Sequence, residues 1–135
     1  MIHQTRDEAS RQLDRANACH DTNMWRLWGY VPVDNTLTLM GSRQDGWYWT
    51  FLLFRGTTYI HLPNWINRPR FSLSEIAEVA PPNLLLDEHY HAISVISGSD
   101  RFGLICREVE FYDHHEGKQP LESLLSRDHR DISNV

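Results

Sequence analysis

Cysteine is scarce, long apolar runs are missing and glycines never cluster, and each shortage closes off a class of function. The only two cysteines, Cys19 and Cys106, have no paired spacing, which argues against a disulfide framework or a thiolate-built zinc site. The seven glycines stand singly at turns, so neither a phosphate-cradling loop nor a serine elbow is present. The first thirty residues carry Arg6, Asp7, Glu8, Arg11, Asp14 and Arg15 without a continuous apolar stretch. No secretory leader or membrane span is therefore expected there, and the expected location is cytoplasmic. A net charge of −5 with both signs mixed along the chain supplies no long-range attraction for phosphate backbones and disfavours nucleic acid as a partner. Cys19 and His20 are adjacent at a helix end, so their side chains diverge, which is poor geometry for a thiolate and its base.

What is present suits a globular protein. A length of 135 residues fits one α+β domain, 1–135, and allows roughly two-thirds of the unfolded chain's surface to be buried. Thr5 to Asn17 places Ala9, Leu13 and Ala16 near helical spacing behind a Thr5…Glu8 capping box, which predicts an N-terminal helix with a thin apolar stripe. Strands are expected over 24–33, 36–40, 47–54 and 57–62, a four-stranded antiparallel meander broken by Asp34-Asn35, Asp45-Gly46 and Arg55-Gly56. A second capping-box pattern, Ser72 to Glu75, predicts a short middle helix closed by Pro81-Pro82. A C-terminal hairpin about Gly98-Ser99-Asp100 follows, bringing the antiparallel sheet to about five or six strands. A short helix is expected over 121–125 within a polar, mobile tail, 113–135.

The third strand is apolar on both alternating sets, with Trp47, Trp49, Phe51 and Leu53 on one face and Tyr48, Leu52 and Phe54 on the other. That pattern predicts an inner strand covered on both sides. One N-terminal helix is too little cover, so a second helix, a ligand or another subunit is expected on one face.

Three groups of residues carry functional readings. The first is the loop from Pro63 to Phe71, where Trp65, Ile66, Arg68 and Arg70 lie on a backbone stiffened by prolines. Trp and Arg are enriched at binding hot spots, and a stiff loop loses little entropy on association. The competing reading folds Trp65 and Ile66 back as a plug at the end of the sheet.

The second group is His89 and His91, two apart, whose side chains leave one face of an extended segment as a metal-binding strand requires. A divalent transition metal would take further ligands from His61, His114 or His115, or a carboxylate from Glu108 or Glu110. The pair resembles the cupin His-x-His, but a cupin places a glutamate a few residues on, where this chain has Val95 and Ile96. Taken as polar residues at a strand mouth, the two histidines require no cofactor.

The third is the last strand, whose apolar set swaps sides near Cys106 to Glu108. A bulge or a strong twist there explains the swap. The alternative keeps the strand regular and aims Glu108 and Glu110 into a polar pocket. Together these patterns favour a non-catalytic protein-binding role, as an adaptor, chaperone-like or inhibitor protein that also self-associates as a homodimer. The alternatives are a metal-dependent enzyme using His89 and His91, and a carrier whose Trp25, Trp28, Trp47 and Trp49 line a small-ligand pocket. In outline the small acidic α+β plan is similar to secretion chaperones and toxin-immunity proteins, an analogy without a shared motif.

Overall fold

The computed structural model describes residues 3–19, 22–43 and 49–113, the side chains of Asn23, Arg43 and Trp49 excepted. Trp47, Tyr48, His20, His114, His115 and the expected tail with its helix lie outside the described residues. The fold is α+β, with helix α1 (Arg6–Asn17), a short helix α2 (Ile76–Val79) and antiparallel strands in two sheets. The first sheet has the order β5-β1-β2-β3-β9, built from β1 (Thr22–Val31), β2 (Thr36–Arg43), β3 (Trp49–Arg55), β5 (Trp65–Asn67) and β9 (Glu108–Asp113). The second has the order β4-β8-β7-β6, built from β4 (Tyr59–His61), β6 (Arg70–Ser74), β7 (His91–Ser97) and β8 (Asp100–Cys106). No helix among the described residues is long and apolar enough to cross a membrane.

β3 is an inner strand between β2 and β9, and both its faces are buried. Leu52 and Phe54 enter the main core between the sheets, while Phe51 and Leu53 join Met40 in a second cluster on the opposite face, with Trp28 and Tyr112 packed against it. The main core joins the two sheets through contacts such as the edge-on packing of Trp25 against Phe71, ring centroids 5.3 Å apart.

The expected four-stranded meander is realised only as far as β3. β4 does not fold back on β3 but pairs with β8, Tyr59 opposite Ile105. Gly56 takes φ 63° at this point, and its N–H donates to the Asp34 carbonyl at 3.3 Å while that of Thr57 donates to Asn35 at 2.9 Å. With those donors committed to the β1–β2 turn, the chain bends into the second sheet and does not reverse. The β8–β9 segment makes the matching bend. Arg107 N–H donates to the Arg55 carbonyl at 2.9 Å and Thr58 N–H to that of Ile105 at 2.9 Å, so the ladder runs unbroken round the corner. The same bend explains the side swap of the last strand: at Arg107 the chain changes sheets, so Leu104 and Cys106 before it and Val109 and Phe111 after it all face the main core. No bulge within a single sheet is involved.

α1 lies between the edge strands β6 and β9. Ala9, Leu13 and Ala16 enter the core, and the Thr5 hydroxyl caps the helix by accepting from Glu8 N–H at 3.1 Å. Its polar neighbours close both edges. The Asn17 amide donates to the Phe71 carbonyl at 2.7 Å and accepts from Phe71 N–H at 2.9 Å. Gln4 does the same to Val109, 2.8 Å each way, and the Gln12 carbonyl oxygen accepts from Phe111 N–H at 2.9 Å. Side-chain amides here stand in for a neighbouring strand and block the edges against further pairing.

The second capping box does not form. Ser72 and Ser74 belong to β6, the Ser74 hydroxyl bonds that of Ser94, and Glu75 at the N-cap of α2 makes no side-chain bond. α2 covers the outer side of β7 and β8, where Gly103 lets Val79 approach; a Cβ at Gly103 would lie 2.7 Å from Val79 Cγ1.

Candidate interaction site

β5 is the edge of the first sheet, and the alternation of its three residues decides the fate of the loop. Ile66 is 1% exposed inside the main core, whereas Trp65 on the other face is 56% exposed. Neighbouring residues thus divide the two roles expected for this loop: Ile66 anchors the strand and Trp65 is presented to solvent. Arg68 follows at φ 46°, and Arg70 opens β6; both are exposed.

Trp65 is not isolated. The register sets Trp65 opposite Arg26, Arg26 opposite Met40, Met40 opposite Phe51 and Phe51 opposite Tyr112, a single row across all five strands of the sheet. Met40 and Phe51 in its middle are buried, so the accessible part is the β5–β1 margin. There the Arg26 guanidinium lies over two indoles, 4.9 Å from the Trp28 centroid and 5.6 Å from that of Trp65, an arrangement that orients both ring and cation. Arg26 Nε is enclosed without a hydrogen-bond acceptor, and among the described residues no carboxylate pairs with Arg26, Arg68 or Arg70. Arg26 is inconspicuous in the sequence because it sits within an aromatic run. The signal was the alternation of Arg26 and Trp28 with buried Trp25.

The histidines are placed differently. His91 opens β7 at 5% exposure, its Nε2 3.1 Å from the Gln4 carbonyl oxygen. His89 lies in the preceding loop, stacked on His3 at 3.6 Å between centroids, with Nε2 3.8 Å from Glu88. His61 packs edge-on against Phe102 in the second sheet, centroids 5.9 Å apart. Among the described residues no three His, Cys, Asp or Glu side chains form a group able to hold a metal.

Burial depresses the His91 pKa, with the Arg6 charge adding to it and the Gln4 carbonyl opposing it. The unfolded chain therefore takes up this proton first. Stability contributed by neutral His91 is complete above about pH 6.5, falls as pH drops through that value and is fully lost below the folded-state pKa. Thermal midpoints at mildly acidic and neutral pH should converge in His91→Gln; equal pH dependence in both proteins would contradict this.

Glu108 and Glu110 lie on the same side of β9 as Tyr112, away from the core. Glu110 accepts from Arg55 Nε at 2.7 Å and from the Tyr112 hydroxyl, and Arg55 NH1 also lies 3.6 Å from Asp34. The Glu110 carboxylate therefore sits in an ion pair facing outward, where the sheet change at Arg107 has turned it. Cys106 is fully buried, and burial pushes its thiol far above the usual range, so it is no nucleophile. Trp25 is a core side chain, 2% exposed, that also borders an open cleft of about 290 Å³ with Ala16, Cys19 and Thr22. Trp28 belongs to the second cluster, so the expected pocket of tryptophans is not assembled from these two.

No protein-family model matches the chain, and no curated protein or solved structure does either.

Proposed function

We propose that this is a non-catalytic protein-binding protein whose contact residue is Trp65, oriented by Arg26 and Trp28 on the β5–β1 margin. The observation that carries the reading is the opposed placement of Ile66 and Trp65. The first is locked into the core, so the second is held out at 56% exposure on a backbone that has little freedom left to lose on binding. Large exposed aromatics beside arginine are the residues that dominate interface energies. An adaptor, chaperone-like or inhibitor role is consistent with a surface of this kind. The test is whether Trp65→Ala, folded as well as the wild type, loses a protein that the wild type retains from extracts of the source cell.

A further inference from the structure

We infer that the segment received at this margin is an acidic peptide, with Arg26 taking a carboxylate while Trp65 packs against the adjoining apolar side chain. The inference rests on the reading above and adds the chemistry of the partner. Two indoles lie against the Arg26 guanidinium at 4.9 and 5.6 Å. Of the Arg26 nitrogens only Nε is enclosed, which leaves the two Nη groups to address an anion, and such a planar fork matches a carboxylate in two parallel hydrogen bonds.

The other arginines of the chain for which pairing is described show the contrast. Arg6, Arg55, Arg101 and Arg107 each lie against a carboxylate, Glu75 at 3.9 Å, Glu110 at 2.7 Å, Glu78 at 3.2 Å and Asp87 at 2.9 Å. Arg26 holds none among the described residues, and it lies on the outer face of β1 directly opposite Trp65. A chain of net charge −5 thus keeps a cation without a carboxylate partner beside its exposed tryptophan. The overall charge repels long polyanions, while a short acidic segment presents few charges to that field and meets Arg26 directly.

The test uses the full chain and two dye-labelled dodecapeptides, one alternating Glu with Leu and one alternating Gln with Leu, followed by fluorescence anisotropy. The Glu peptide is expected to bind about tenfold more tightly, an advantage that shrinks as salt is raised from about 50 to about 500 mM. Arg26→Gln should abolish the preference, Arg26→Lys should restore part of it, and Trp65→Ala should weaken both peptides alike. Equal affinity for the two peptides, with both weakened by Trp65→Ala, overturns the acidic assignment and leaves the Trp65 site standing. Binding of either peptide that is indifferent to Trp65→Ala overturns the site itself. Absence of Glu-peptide binding, or its displacement by equimolar inorganic phosphate, also overturns the assignment, and the salt series on the wild type decides the matter even where an Arg26 variant folds poorly.

Discussion

Ile66→Ala should destabilise the protein by about 2–5 kcal/mol, whereas Trp65→Ala, one residue away, should cost about 1 kcal/mol or less. Ile66 is 1% exposed in the core shared by both sheets, and truncating it removes buried methyl and methylene groups and leaves a cavity that the packed surroundings refill only in part. Trp65 keeps more than half its surface in water, so its loss removes mainly the contact with Arg26. Chemical denaturation with an unchanged m-value checks both figures. Comparable losses for the two variants would mean that Trp65 is a core residue after all.

Gly41→Val should cost about 3 kcal/mol, at the upper end of what overpacking does. Gly41 lies in β2 opposite Trp25 on one side and Thr50 on the other. A Cβ there would lie 2.4 Å from Thr50 Oγ1, 2.6 Å from Thr22 Cγ2 and 3.0 Å from Trp25 Cδ2. All three neighbours are buried, and two are β-branched with restricted rotamers. Thr50 Oγ1 has no hydrogen-bond partner, so removing it breaks no bond, and Thr50→Ala in the Gly41→Val background should recover part of the loss. A double variant no more stable than Gly41→Val alone would show that the clash lies elsewhere.

Much of the framework was legible because it is written in local patterns. The Thr5…Glu8 cap, the turn residues that bound β2 and the glycine turn at Gly98 each depend on residues close in sequence. The double burial of β3 was legible too, because only an inner strand tolerates apolar side chains on both faces. Partner choice was not. Gly56 looks the same at a corner as in a hairpin, and only the remote acceptors on Asp34 and Asn35 turn the chain toward β8. Ser72 to Glu75 has the letters of a capping box, but pairing with β7 claims Ser72 and Ser74 for a strand.

At the candidate site, Trp65 and Ile66 were visible as a pair, and the edge position of β5, which separates their fates, was not. Arg26 was hidden for the same reason, since its neighbour across the sheet lies thirty-nine residues further along the chain. Gln4, Gln12 and Asn17 read as ordinary polar residues until both strand edges are in view.

The central claim is that Trp65 serves recognition and not folding, and retention of a cellular partner tests it most directly. Wild-type protein and Trp65→Ala, matched in thermal midpoint, are used to capture proteins from extracts of the source cell, and the recovered species are quantified. The account predicts a discrete protein retained by the wild type and reduced about tenfold or more by the substitution, the loss expected of a hot-spot tryptophan. Equal recovery by the two proteins would contradict it.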